Sequence, residues 1–200
     1  MIKLYGGKMN RGGRCILALE ECGLQYELCD INLQKGDHKK PDYLALNPNG
    51  TVPTLVDGDT VIWESIAINL YLAEKYGKGL MPSAPEERGH VYQWSVWAIA
   101  TLEPHLAAVF LNRVMLPEKE RNPAAADAGV ARATEHLQVL DKVLDGKHYL
   151  VGGRFTIADI NVGHMVAWAN MIGIDLGRTP NVLAWFGSIT SRPSFAKLMS

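Results

Sequence analysis

Along roughly the first eighty residues, apolar positions switch between the period of a strand and that of a helix, and glycine or proline marks most switches. Ile2 to Tyr5 predicts a strand followed by a Gly-rich loop. Cys15, Leu19 and Cys22 then recur at i, i+4, i+7 as one face of a helix that stops at Gly23. Tyr26 to Ile31 alternates as a second strand. After the polar stretch Gln34 to Lys40, Pro41 opens a short helix at its first turn. Thr54 to Val56 and Val61 to Trp63 flank Asp57-Gly58-Asp59, the pattern of a hairpin. Ser65 is then expected to cap a helix carrying Ile68, Leu72 and Tyr76 and ending at Gly77. The order is βαβαββα.

From Glu86 onward no strand pattern survives. The expected helices run from Glu86 to about Asn112, Ala124 to Leu144, Thr156 to Ile172 and Pro180 to Ser191. The segment 78–85, with Gly79, Pro82 and Pro85, reads as a linker. The chain is therefore expected to be α/β plus all-α: a small unit over 1–77 and a larger helical one over 86–200.

Composition narrows the partners. Hydrophobic residues make up 48 % and charged residues 20 %, enough core material for ordinary globular folding. Twenty basic residues oppose twenty-one acidic ones, and a formal charge of −1 supplies no field to hold nucleic acid or an anionic membrane. Small molecules or a second subunit are the expected partners. The first strand begins directly after Met1, leaving no room for a signal peptide. No apolar run is expected to approach the ~20 residues of a membrane span. A cytoplasmic location follows as the expectation. Cys15, Cys22 and Cys29 are odd in number and lack a Cys-x-x-Cys spacing, so they read as small core residues, with a reactive thiol as the other reading.

The strongest local signal is Asn47-Pro48-Asn49-Gly50-Thr51-Val52-Pro53-Thr54-Leu55, placed just before the hairpin. A proline opening a strand cannot donate to the ladder. A cis form, which costs only about 0.5–1 kcal/mol at X-Pro, would turn the Val52 backbone outward to pair with an extended peptide. A plain turn proline is the other reading. Glu64-Ser65 then opens a helix whose free N–H groups and partial positive charge suit a carboxylate. Taken alone, Ser65 is equally a capping residue.

Together, Asn-Pro-x-Gly-x-Val-Pro-x-Leu, a hairpin and Glu-Ser-x-Ala-Ile-x-x-Tyr-Leu resemble the glutathione site of the cytosolic glutathione S-transferases, here Asn47 to Leu55 and Glu64 to Leu72. Phe155-Thr156-Ile157-Ala158-Asp159 resembles the family's capping box, with Thr156 capping and Asp159 reaching back. The likeness spans nearly the whole chain. It implies a thioredoxin-like first domain, a helical bundle after it, a homodimer, and a role in detoxification. The co-substrate is glutathione, the second substrate a hydrophobic electrophilic small molecule, and no metal is implied.

Carried over position by position, the resemblance has Val52 and Pro53 presenting backbone to the cysteinyl part of glutathione. Glu64 and Ser65 hold the γ-glutamyl end. His38 sits where some classes contact the glycyl carboxylate, and Thr51 replaces a lysine found before Val-Pro in several classes.

The family faces the glutathione sulfur with Tyr, Ser or Cys at the start of the first helix, and the alignment places Asn10 there, beside Arg11. Lowering a thiol pKa from about 8.5 to roughly 6.5 requires about 2.7 kcal/mol. A hydrogen bond to a charged partner supplies about 1.5–3 kcal/mol and a helix N-terminus about 0.3–1, at best ~2. An Asn amide at a Gly-rich helix start therefore suffices. Tyr5 is the rival activator, an N-cap is the plain reading of Asn10, and Met9 is a candidate wall of the electrophile site. Tyr92, Trp94, Trp97, Phe110 and Trp168 are available to the second substrate, though most are expected in the core. Arg88 and Glu103 serve either a dimer interface or the glutathione ammonium. A glutathione-dependent isomerase or peroxidase, or a non-catalytic glutathione-binding or protein-interaction module, are the alternatives to a transferase.

Overall fold

The computed structural model describes residues 1–199. It divides into two units, Met1–Met81 joined by the segment from Arg192 onward, and Pro82–Ser191.

The first unit is built on four strands, β1 (Ile2–Tyr5), β2 (Tyr26–Cys29), β3 (Thr54–Asp57) and β4 (Thr60–Trp63), in the order β2-β1-β3-β4. β1 pairs parallel with β2, Ile2 opposite Tyr26, and antiparallel with β3, Leu4 opposite Leu55; β3 pairs antiparallel with β4. The parallel pair requires a crossover, supplied by α1 (Gly12–Glu21). Gly12 to Leu19 are all buried. Gly23, at φ +67°, ends that element as expected: its N–H reaches Glu20 O at 3.0 Å and Leu24 N–H reaches Leu19 O at 3.1 Å.

α2 (Pro41–Leu46) follows a short 3₁₀ turn over Asp37–Lys39, and α3 (Ser65–Tyr76) packs against α1. Asn69, fully buried, donates to Arg14 O at 3.1 Å. The Cys15 and Cys22 thiols reach the carbonyls of Ser65 at 3.6 Å and Leu72 at 3.7 Å. Burial pushes the Cys15 thiol up to about 12 and the Cys22 thiol to about 11. Both stay protonated at neutral pH, but only Cys15 is a core residue: Cys22 and Cys29 are half-buried, which corrects the expectation for those two. At the far end of β3, Asp57 Oδ2 accepts from Tyr71 Oη, Tyr76 Oη and Lys75 Nζ at 2.7, 2.7 and 2.9 Å, fastening the hairpin to α3.

In the second unit one helical run extends over Pro85–Met115. Its α-helical parts are α4 (Pro85–Trp97) and α5 (Glu103–Phe110), each followed by a π-helical stretch, Ala98–Leu102 and Leu111–Met115. This run corrects the expectation that no segment approaches a membrane span: at 31 residues it is long and apolar enough by length and composition. Its apolarity has a packing explanation. Val91, Trp94, Ala98, Leu102, Leu106 and Val109 are buried. α4 packs on α7 (Ile157–Met171), and α5 packs on α6 (Pro123–Leu144) and α7. That is the pattern of a bundle's central helix. Asn122 caps α6, its side chain accepting from Ala125 N–H at 3.1 Å. α8 (Pro180–Thr190) completes the bundle.

The sequence pattern predicts no helix beyond Ser191, yet a last helix, α9 (Pro193–Met199), follows. The expected helical domain over 86–200 gives up its final segment to the first unit. Arg192 Nε and Nη2 reach the Glu21 carboxylate at 2.8 and 2.6 Å, Ser194 Oγ donates to it at 2.6 Å, and α9 packs on α1. Burial acts to raise the Glu21 carboxyl, but these partners win and hold it below its usual value.

Candidate functional site

The expected site residues lie in the first unit, around the loop after β1 and the starts of α1 and α3. The β1–α1 loop is shaped by Asn10. Its Oδ1 accepts from Gly12 N–H at 2.8 Å and from Gly7 N–H at 3.2 Å, while its own carbonyl accepts from Gly13 N–H at 2.9 Å. Two backbone donors on one side-chain oxygen fix which way the amide points. Asn10 thus does the work of a cap although Arg11 occupies the N-cap position and makes no side-chain cap bond. The capping reading and the donor reading are compatible. Capping uses Oδ1 alone, and the Asn10 NH₂ has no hydrogen-bond partner among the described residues.

Close approach at Gly6, whose φ is +150°, joins this loop to the proline motif. A Cβ there would stand 3.4 Å from Pro53 Cβ and 3.5 Å from Asn10 Oδ1. Val52–Pro53 is cis, as the motif suggested. Among the described residues no hydrogen bond claims the Val52 N–H or C=O. The preceding carbonyl, that of Thr51, is doubly held, by Tyr43 Oη at 2.6 Å and Asn47 Nδ2 at 2.8 Å.

α3 begins beside the start of α1, because Cys15 Sγ lies 3.6 Å from Ser65 O and 4.0 Å from Arg11 O. Here the expectation needs correction. Glu64, not Ser65, occupies the N-cap position, and Ser65 is the first helical residue. Glu64 adopts φ +72°, a left-handed conformation costing on the order of 1–3 kcal/mol for a side chain of this kind. The Ser65 hydroxyl has no hydrogen-bond partner among the described residues, so it caps nothing.

His38 belongs to the 3₁₀ turn and stands against the proline motif: a Cβ on Gly50 would lie 2.9 Å from His38 O. Its Nδ1 is buried with no hydrogen-bond partner. Lys39, which the sequence reading passed over, lays its Nζ on the carbonyls of Gly50 and Asn49 at 2.9 and 3.3 Å, next to exposed Thr51. The run Asp37-His38-Lys39-Lys40 held that signal, since two lysines beside a site histidine offer an anion a cation.

Tyr5, the rival activator, sits within β1, and its phenol is raised above its usual value by burial and by nearby Cys29. A phenol so shifted is a poorer source of charge. Met9 is 86 % exposed. In the second unit Trp94 is core at 6 % exposure, its ring edge-on to Trp97 at 5.2 Å, while Tyr92 is exposed and bonded to Arg88. Phe110 and Trp168 pack on each other at 5.8 Å, and Glu103 is buried.

Comparison with known proteins agrees with this layout. Residues 1–74 match the model of the glutathione S-transferase N-terminal domain and residues 102–193 that of the C-terminal domain. Glutathione S-transferase GstB of Escherichia coli K12 is 32 % identical over 100 % of this chain and 98 % of its own. Glutathione S-transferase 3 of Zea mays is 35 % identical over 100 % and 93 %. A theta class glutathione S-transferase from Xanthomonas axonopodis pv. citri, solved with glutathione bound, superposes with a TM-score of 0.93 at 34 % identity, covering 100 % of this chain and 97 % of that one. With full-length identity above 30 %, both domain models matched and the motif residues assembled around one loop, this chain belongs to the glutathione S-transferase family.

Proposed function

We propose that this protein binds glutathione along the starts of α1 and α3 and conjugates it through its sulfur to a hydrophobic electrophile, with Asn10 donating to the thiolate. Family membership makes it an enzyme with glutathione as co-substrate. The observation that carries the residue assignment is a set of unclaimed hydrogen-bonding groups: the Asn10 NH₂, the Val52 N–H and C=O and the Ser65 hydroxyl. They match the polar groups of a tripeptide. The Val52 backbone pairs with the cysteinyl residue as a strand would. Ser65 and the N–H groups of the first turn of α3 receive the γ-glutamyl carboxylate, and exposed Glu64 meets its ammonium. His38 and Lys39 take the glycyl carboxylate, Lys39 supplying the cation that Thr51 does not.

At the sulfur, the chemistry is stabilisation of an anion already poised to form. The Asn10 NH₂ and the start of α1 lower the free energy of the thiolate, with Arg11 adding positive potential. The thiolate attacks an electrophilic carbon, forming a C–S bond as the leaving group departs with the electron pair. Nothing in the geometry favours an isomerase, a peroxidase or a non-catalytic module. A homodimer is the expected assembly. Exposed Val61 and Trp63 on edge strand β4, and Val96 and Ile99 on the long helical run, support it.

The direct test is glutathione-dependent turnover of a chromogenic aryl halide, together with the ultraviolet band of bound thiolate near neutral pH. Both are expected, and absence of both in a folded protein that binds glutathione would leave only a binding module. Ser65→Ala gives a second expected outcome. Because the hydroxyl caps nothing, the loss of stability should stay below ~0.5 kcal/mol, while the loss of a bond to a carboxylate weakens glutathione binding by about 1.5–3 kcal/mol. Calorimetry of binding beside thermal unfolding separates the two, and unchanged affinity would remove Ser65 from the site.

A further inference from the structure

We propose that Tyr43 and Asn47 are positioning residues for glutathione, aiming the Val52 N–H by holding the oxygen on the opposite side of the same peptide plane. The inference rests on the proposed function above and names residues that do not themselves touch the substrate. The Thr51 carbonyl and the Val52 N–H belong to one planar, trans-directed unit, so fixing the oxygen fixes the N–H pointing away from it. Tyr43 Oη, at 2.6 Å, and Asn47 Nδ2, at 2.8 Å, use both lone pairs of that oxygen.

Each holder is held in turn. A phenol has one hydrogen, which Tyr43 gives to the Thr51 carbonyl. The 2.9 Å contact between Tyr43 Oη and Thr54 Oγ1 is therefore a donation from Thr54 to Tyr43. The bonds run in series, Thr54 to Tyr43 to Thr51, each strengthening the next. Asn47 is fully buried. Its Oδ1 accepts from the backbone and side-chain N–H groups of Asn49, both at 3.1 Å, which leaves Nδ2 as the end facing Thr51. Tyr43 lies on α2 and Asn47 is its C-cap, its N–H bonded to Tyr43 O at 2.9 Å. One short helix thus carries both donors. Its evident product is an unclaimed N–H at Val52, ready for a peptide carbonyl and already oriented.

The test uses Tyr43→Phe, which keeps the ring and removes only the hydroxyl; Asn47→Ala would strip a buried cap and risk the fold. Steady-state kinetics with varied glutathione, glutathione affinity by calorimetry and the pH profile of kcat/KM are measured in both proteins. We expect KM and Kd for glutathione to rise about five- to tenfold. The kcat should stay within about twofold and the bound-thiol pKa should be unmoved, because the thiolate donor lies on another loop. A comparison variant, Val182→Ala in the core of α8, lowers Tm and leaves KM unchanged. If Tyr43→Phe behaves like that variant, with lowered Tm and unaltered KM and Kd, the residue is structural and the proposal is overturned. Wild-type protein that binds no glutathione would overturn the proposed function itself, a result distinct from either.

Discussion

Asp159→Ala is expected to destabilise the helical unit by about 3–5 kcal/mol, lowering Tm by roughly 6–20 °C for a chain of this size. The side chain is fully buried near the start of α7 and accepts four hydrogen bonds. Thr156 N–H and Oγ1 reach Oδ2 at 2.9 and 3.1 Å, and Leu150 N–H and Trp185 Nε1 reach Oδ1 at 3.0 and 2.9 Å. Loss of a helix cap alone costs about 0.5–2 kcal/mol. The remainder comes from donors left in the core with no acceptor, each a penalty of about 1–3 kcal/mol. Burial raises the carboxyl above its usual value even against those donors, so the group adds no stability through its own ionisation. Its contribution is connection: the loop at Leu150, the start of α7 and Trp185 on α8 meet on one carboxylate. Chemical denaturation of the variant measures the loss, and a value below ~1 kcal/mol would show that water or a rearranged neighbour replaces the carboxylate.

Asn10→Ala is expected to raise the pKa of the bound glutathione thiol by about one to two units and to reduce turnover at neutral pH about ten- to a hundredfold. The sign follows from which form the amide favours. A donor to sulfur stabilises the thiolate, so removing it moves the titration upward and the deficit shrinks as pH rises through the new pKa. Because Asn10 Oδ1 also accepts from Gly7 and Gly12, the alanine variant disturbs the loop as well as the sulfur. Asn10→Ser distinguishes the two effects. A hydroxyl can accept from the Gly12 N–H or donate to a thiolate, so it should recover part of the lost turnover. The pH profile of kcat/KM and the thiolate absorbance are the readouts. A variant with an unshifted thiol pKa and near-normal turnover would return the role to the backbone N–H groups of the α1 start or to Tyr5.

The first unit was legible because its signals are local and mutually consistent. Alternation at Ile2 to Tyr5, a stop at Gly23, Pro41 at a first turn and Asp57-Gly58-Asp59 between two strands each fix the backbone within a few residues. The Asn-Pro-x-Gly-x-Val-Pro run was legible for the same reason, as was the capping box at Thr156, whose reciprocal bonds are present. What sequence reading missed depends on geometry beyond one turn. Ser65 looked like a cap because serine favours that position, yet Glu64 takes it in a backbone conformation that propensity does not anticipate. Lys39 was passed over because its importance lies in where a flexible side chain comes to rest, against a loop about ten residues on. The long helical run escaped notice as an apolar segment because Glu86, Glu87 and Arg88 at its start, and polar residues spaced along it, dilute the composition of what is structurally one helix.

The return of the chain to Glu21 has a consequence for how the molecule is made. The first unit is written in two pieces, the opening stretch and the short segment from Arg192, with the whole helical unit between them. As a nascent chain lengthens, α1 emerges early with its carboxylate at Glu21 lacking the guanidinium and hydroxyl that will later meet it. The helical unit, encoded without interruption, can finish while the unit holding the motif residues still waits for its last helix. Completion of that unit is thereby tied to synthesis of the stretch that follows the helical unit, so a polypeptide cut short before Arg192 carries every motif residue yet lacks the segment that packs on α1.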